Sequence, residues 1–230
     1  MNETLPMKFL YKFASRSRPE KFFNCVENIY INSRNKEFTI LATLDIDDTT
    51  MNNDDVIEKL KRYDKVYPVW GNSKNKIDAI NRDMDKAPEW DILINMSDDM
   101  MFIEQGYDEI IEADMMKHFP DGDCLLHYPD QNQGRNCMTL SIMDKKYYDR
   151  FGFIYYPGYV SLWCDIEAQE VGKIVNRYKF INTRIFNHYH PSFGQAKYDE
   201  QYRKTEDSTV RTQDMETYEH RKRNNFFLNQ

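Results

Sequence analysis

Apolar and polar positions follow two alternating periods along the first hundred residues. Lys8-Phe9-Leu10-Tyr11-Lys12-Phe13 is a short apolar run of strand character. Phe22, Phe23, Val26, Ile29 and Tyr30 then recur at helical spacing on one face, and Ser17-Arg18-Pro19-Glu20 opens that helix with a capping box and an early-turn proline. Residues 38–44 predict a second strand, ending in Asp45-Ile46-Asp47-Asp48. Asn52 and Asn53 can cap a helix carrying Val56, Ile57 and Leu60. A third strand over residues 66–70 contains Pro68, which places it near a sheet edge. Gly71-Asn72-Ser73 opens a helix with Ile77, Ile80 and Met84 on one side, and residues 91–95 read as a fourth, buried strand.

This βαβαβαβ order predicts an α/β protein: a mostly parallel sheet sandwiched between helices. Right-handed crossovers put the C-terminal end of every strand on the same rim, where ligands of open α/β sheets sit. Residues 15–18, 45–48, 71–76 and 97–99 are therefore expected to converge. The second half is less regular. Residues 124–128 and 137–143 flank a polar loop as a hairpin-like pair, and residues 145–150 form a short helix capped by Asp144. An aromatic loop, Tyr155-Tyr156-Pro157-Gly158-Tyr159, precedes Ser161-Leu162-Trp163-Cys164-Asp165-Ile166-Glu167, which runs into a helix to about Gly172. Residues 180–186 suggest one more strand, closed by Asn187-His188-Tyr189-His190-Pro191. From Gln195 the chain is strongly charged and reads as a helical surface tail.

Ser97-Asp98-Asp99-Met100 carries the most chemistry, because it follows directly on the fourth strand. Paired carboxylates at a sheet rim suit a hard cation such as Mg2+ or Mn2+; a lone Asp-Asp equally serves as a helix cap or solvated turn. Ser15, Arg16 and Arg18 precede a helix N-terminus, where guanidinium groups and free amides suit a phosphate. Asp45 and Asp47 can accept hydrogen bonds from a base or ribose. His188 and His190 share one side of an extended segment, so both can face a metal, although one ligand suffices. Asp165 and Glu167 complement a helix dipole, or supply a general base beside Tyr156, Tyr159 and Trp163, aromatic groups able to seat a sugar. His118, His127 and His220 are assigned to packing or surface.

Bulk properties narrow the class without naming it. The chain has 230 residues, 16 of them Tyr and 14 Phe, and a net charge of −7, which argues against a protein built mainly to grip nucleic-acid phosphates. Cys25, Cys124, Cys137 and Cys164 form no CxxC pair and read as reduced thiols. Residues 1–6 carry no leader-like pattern, and no apolar run approaches a membrane span. A cytoplasmic protein is expected.

Together these segments resemble GT-A-type glycosyltransferases of the family-2-like kind. The first strand leads into Ala14-Ser15-Arg16-Ser17-Arg18-Pro19, and Lys76-Ile77-Asp78-Ala79-Ile80-Asn81-Arg82 looks like that family's Lys-to-Asn-Arg helix. Ser97-Asp98-Asp99 occupies the place of its DxD motif, and Cys164-Asp165-Ile166-Glu167 looks like its Glu-Asp-x-Glu/Asp segment. The likeness spans roughly residues 7–191. It implies a Rossmann-like catalytic domain over residues 1–195, with a nucleotide-binding half (7–100), a smaller mixed acceptor-side half (101–195) and a charged C-terminal tail (196–230). It also implies a nucleotide-sugar donor with Mn2+ or Mg2+, Asp45 or Asp47 on the base, Asp98 on the ribose and Asp99 on the metal. His188 or His190 completes the metal site, Ser15, Arg16, Arg18 and Lys76 bind the nucleotide, and Asp165 is the base.

The expected reaction moves a sugar from a nucleotide-diphosphate donor, UDP-sugar favoured, to a glycan or other hydroxyl acceptor, with inversion. A nucleic-acid acceptor is disfavoured by the acidic balance. Two other readings compete: a non-catalytic nucleotide- or glycan-binding module, and a sugar nucleotidyltransferase. The latter usually has a Gly-rich loop after its first strand, and residues 13–20 contain no glycine.

Overall fold

The computed structural model describes residues 6–228; most of the N-terminal stretch read for a leader lies outside them. The chain begins β1 (Phe9–Ser15), α1 (Pro19–Asn32), β2 (Phe38–Asp45), α2 (Asp54–Leu60), β3 (Val66–Gly71), α3 (Lys76–Asn81), β4 (Ile92–Met96). It continues β5 (Met100–Phe102), α4 (Tyr107–His118), β6 (Leu125–His127), β7 (Ile142–Asp144), α5 (Lys145–Phe151), α6 (Cys164–Ile174), β8 (Tyr178–Phe180) and β9 (Phe186–His188). It closes with α7 (Glu200–Thr205) and α8 (Ser208–Arg223).

Seven strands form one sheet in the order β3-β2-β1-β4-β7-β6-β8, and β5 pairs with β9 in a separate two-stranded ribbon. Only β7 runs against its neighbours in the large sheet. The strand period of two splits the core cleanly. Phe9, Tyr11 and Phe13 face one layer with α1, α2 and α4, while Leu10, Leu41 and Leu93 face the other with α3, α5, α6 and α8. The βαβ crossovers bring the C-terminal ends of β1 to β4 to one rim, and β3 with its Pro68 is an edge strand.

Local detail departs from the sequence pattern at five places. The capping box at Ser17 does not form: Pro19 starts α1 one residue later, Arg18 precedes it without a side-chain cap, and the Ser17 amide donates to Asp48 Oδ2 at 2.6 Å. α3 is capped by Asn75 rather than opened by Gly71-Asn72-Ser73, because the Ser73 amide and hydroxyl turn to Asp45. α4 escaped the sequence reading: only Tyr107, Ile111 and Met115 form its apolar stripe, and Asp108 is buried as a cap for the amides of Arg34 and Asn35. The single strand expected over residues 180–186 is two, separated by exposed Asn182, Thr183 and Arg184; β8 pairs with β6 and β9 with β5. The charged tail is helical, yet it is not merely surface, since Tyr202, Asp214, Tyr218 and Arg221 are all buried.

One core residue breaks the apolar pattern. Lys12 on β1 is completely buried, with Nζ donating to Thr43 Oγ1 and to the Ala79 carbonyl at 3.1 Å. Burial pulls its pKa from 10.5 down to about 7 and Arg82 adds to that, while Asp83 opposes both. Between these two values the unfolded chain binds the extra proton, so native stability rises with pH. Relative to Lys12→Met, the native chain is expected to gain up to about 1.4 kcal/mol per pH unit from pH 7 to 9. Urea denaturation at each pH checks this, and parallel curves for the two proteins would exclude it.

Candidate active site

The rim opens into a cavity of about 540 Å3, floored by the ends of β1, β2 and β4 and walled by α3, the loop before α6, and α7. From the expected site residues it gathers Ser15, Arg16, Arg18, Asp45, Asp47, Lys76, Asp98, Asp99, Trp163, Asp165, His188 and His190. Side chains as distant in sequence as Ser15 and His190 thus share one chamber.

At the β2 end, Asp45 is buried and held from three sides. Its Oδ1 accepts from the Ser73 amide (2.9 Å) and hydroxyl (2.6 Å), and its Oδ2 from Arg16 at 3.0 Å. Arg16 also forms a two-pronged pair with exposed Asp47, at 2.7 and 2.9 Å. Arg18 is largely buried; it donates to Asp98 Oδ1 at 2.9 Å and grips Asp199 through Nε (2.9 Å) and Nη2 (2.6 Å). Burial raises the Asp98 carboxyl to about 6, the Arg18 charge opposes that rise, and the adjacent Asp99 reinforces it.

Asp99 is equally buried but goes the other way. Burial works against its charge, yet His188, the Tyr202 hydroxyl (2.6 Å) and Ser97 hold it well below the usual carboxylate range. His188 lies between two carboxylates, with Nε2 3.4 Å from Asp99 Oδ2 and Nδ1 3.4 Å from Asp130 Oδ2. Burial disfavours its charge, but those two partners lift its pKa to about 9. His190 is turned aside, with Nε2 2.8 Å from Glu206.

Asp165 begins α6. Its Oδ1 accepts from the Ile166 amide at 2.8 Å and its Oδ2 from the Cys137 thiol at 3.2 Å. A thiol is a weak donor, so this contact orients the carboxylate only lightly. Trp163 precedes α6 in the left-handed region (φ 64°), an uncommon conformation for so bulky a residue. Its ring stacks on Tyr218 of α8, with centroids 5.2 Å apart.

Three expected residues lie elsewhere. Glu167 is buried against Arg221 (2.9 and 3.0 Å) and the Tyr159 hydroxyl (2.7 Å), so it has no reach into the chamber. Tyr159 is itself buried, and Tyr156 lies under the Arg221 guanidinium, 3.3 Å from ring centroid to Cζ. Tyr156 and Glu167 line a separate, largely aromatic cavity of about 380 Å3. Two residues of one helical turn thus serve different faces: Asp165 looks into the chamber and Glu167, two residues on, into the core.

Sequence reasoning missed Asp130, Asp199, Tyr202, Glu206 and Asp214. Asp130 had only a turn-like Pro129-Asp130 signature, and its oxygens are fixed by the Asn132 and Gln133 amides and Thr139. The other four sit in the charged C-terminal segment, where nothing local marks them as site residues.

Several buried polar atoms of the chamber lack partners: Ser15 Oγ, Asn95 Oδ1, Asp99 Oδ1 and Ser161 Oγ. Such atoms are costly to leave unmade and point to a polar ligand. Among the described residues no three His, Cys, Asp or Glu side chains come together as a ready-made cation cage. Asp99 Oδ1 nevertheless offers one open donor, and the His188 imidazole would offer a second once it gives up a proton; Mg2+ in particular is commonly held by one or two carboxylates with phosphate oxygens and water supplying the rest. The donor set fits a divalent cation that arrives with a diphosphate.

No protein-family model matches the sequence, and no curated protein matches it significantly. Solved structures do match. S. aureus TarS 1–349 superposes with a TM-score of 0.61 at 12% identity, over 79% of this chain and 60% of that one. The same fragment in complex with UDP-GlcNAc matches 86% of this chain and 64% of its own length. A mannosyltransferase from Pyrobaculum calidifontis, in complex with GDP-Man and Mn2+, gives 0.57 at 12% identity over 79% and 56%. The fold is that of GT-A-type glycosyltransferases. The chain spans about 60% of the length of the TarS fragment, so the GT-A comparison concerns the sheet and its helices. No helix among the described residues is long and apolar enough to cross a membrane.

Proposed function

We propose that the protein is a metal-dependent, inverting glycosyltransferase that uses a nucleotide-diphosphate sugar, with a UDP-sugar favoured. The observation that supports this reading best is the shared chamber: arginines, a buried Asp98-Asp99 pair and a separate carboxylate, Asp165, line one cavity at the C-terminal ends of parallel strands. The same arrangement suits a GT-A fold whose neighbours were solved with UDP-GlcNAc or with GDP-Man and Mn2+.

Each residue has a part. Asp45, steadied by Ser73 and Arg16, reads the base, Asp98 takes the ribose, and Arg18 and Lys76 attract the diphosphate. Asp99, with His188 in its neutral form, would hold the cation, which would supply Lewis-acid stabilisation of the charge on the leaving diphosphate. Asp165 accepts the proton of the acceptor hydroxyl as its oxygen attacks the anomeric carbon. The bond from that carbon to the phosphate oxygen breaks on the opposite face, and its electron pair leaves with the nucleoside diphosphate. The acceptor is a glycan or other hydroxyl compound.

A thermal-shift screen of nucleotide sugars with and without Mn2+ tests the reading. A donor at about 100 times its dissociation constant stabilises the native state by about 2.7 kcal/mol, and the response should require both the cation and the Asp99 carboxylate. Loss of the Mn2+-dependent shift in Asp99→Ala is the expected result. An undiminished shift in that variant would remove Asp99 from the site, and donor binding with no release of nucleoside diphosphate with any acceptor would favour a non-catalytic module.

A further inference from the structure

The short helix α7 lines the chamber, and two residues that it orders, Asp199 and Tyr202, contact groups assigned to the donor. Asp199, which caps the helix through the Tyr202 amide (3.1 Å), presents both carboxylate oxygens to Arg18 in a two-pronged pair. Lys21 adds a second cation 3.6 Å from the same carboxylate. Tyr202 sends its hydroxyl to Asp99 Oδ2 at 2.6 Å, and its ring lies 4.0 Å from the Arg18 guanidinium carbon. Glu206, just past the helix, takes His190 at 2.8 Å.

The chemistry of these contacts is that of the expected ligand. A planar carboxylate on a guanidinium uses the same paired geometry as a phosphate. The Tyr202 hydroxyl on Oδ2 covers one edge of the carboxylate whose open Oδ1 would hold the cation. We propose that α7 is a built-in plug that imitates a cation-bound diphosphate and must be displaced before the donor enters. This rests on the donor-site reading above and adds regulation to it. A diphosphate cannot use both Arg18 donors while Asp199 holds them. The chain therefore exists as a closed form and an open form, and only the open form has a free Arg18 and a free Asp99 edge. Apparent affinity falls by the fraction of molecules that are open.

Two measurements on the full chain decide the matter, with Mn2+ and inorganic pyrophosphate as the probe. Calorimetry compares the native protein with Asp199→Asn/Tyr202→Phe, two nearly isosteric changes, and with Asp199→Asn alone as a second variant. Amide hydrogen exchange follows residues 200–206 in each. The expected result is faster exchange of that segment in the variants, pyrophosphate binding about tenfold tighter than native, and faster exchange in the native chain once the probe is bound. Unchanged exchange in the variants means the contacts do not hold the helix, and equal or weaker binding with a loosened helix means α7 does not compete with the ligand; either overturns the plug while leaving the donor site intact. A loosened helix with no binding to any of the proteins overturns the donor-site reading, and the plug with it.

Discussion

Asp165→Asn is expected to lower the rate of sugar transfer by about 10^2 to 10^4-fold while leaving donor binding unchanged. General-base assistance contributes on that scale, which corresponds to roughly 3–5 kcal/mol of transition-state stabilisation. The amide keeps the size of the carboxylate and its place at the head of α6. The Ile166 amide can still donate to an oxygen at the Oδ1 position, and Cys137 can still pack against the second atom. What disappears is the capacity to take a proton. Under the proposed function, donor affinity is set across the chamber by Asp45, Arg18 and the Asp98-Asp99 pair, so the dissociation constant for a nucleotide sugar should stay within a factor of two or so of native. Single-turnover transfer with saturating donor, read beside calorimetric binding, separates the two quantities. Transfer within tenfold of the native rate would remove Asp165 from the base position. Glu167 is no reserve, because Arg221 and Tyr159 already occupy its carboxylate on the far side of the helix.

The pattern of strands and helices in the first hundred residues was legible because each element there buries one continuous face. β1 alternates Phe9, Tyr11 and Phe13 against Leu10, and α1 presents Phe22, Val26 and Ile29 to the same layer, so period and burial agree. That agreement fixed the rim, and the rim gathered the acidic and basic loops. The mistakes arose where burial is discontinuous. Residues 180–186 read as one apolar strand, but their polar centre is where the chain leaves the large sheet and joins the ribbon with β5. α4 is too acidic to show a clear stripe, and its Asp108 is buried for reasons set by the distant amides of residues 34 and 35. Glu167 was read with Asp165 because both head one helix, although two residues of helix rotate them onto different sides. The largest omission was the C-terminal segment. Its composition is that of a solvated tail, and its role depends on partners 53 to 181 positions away, such as Arg18 for Asp199 and the loop before α6 for Asp214. No local signal encodes such pairings.

The second large effect belongs to that segment. Asp214→Ala is expected to destabilise the protein by about 3 kcal/mol and to impair the chamber at the same time. Asp214 is fully buried on α8, and its carboxylate accepts three consecutive backbone amides: Val160 at 2.8 Å, Ser161 at 2.8 Å and Leu162 at 2.7 Å. Hydrogen bonds to a charged acceptor are worth about 1.5–3 kcal/mol each, and a buried donor left unmade costs a similar amount. Val160 and Leu162 are only half-buried, so water can recover part of their loss, whereas Ser161 is buried and cannot be rescued so easily. This sets the total below the sum of three full bonds, yet it remains a large share of a typical stability of about 5–15 kcal/mol. The same three amides hold the strand of loop that carries Val160, Ser161 and Leu162 along the chamber wall, directly before strained Trp163 and Asp165. Releasing the loop lets Trp163 relax from its left-handed conformation and moves Asp165 off its aim, so transfer should fall more than stability alone predicts. Asp214→Asn keeps one acceptor oxygen and should lie between native and Ala in urea midpoint. A midpoint shift in Asp214→Ala worth less than 1 kcal/mol would show that α8 is dispensable to the wall, and would return residues 208–223 to the status of a surface tail.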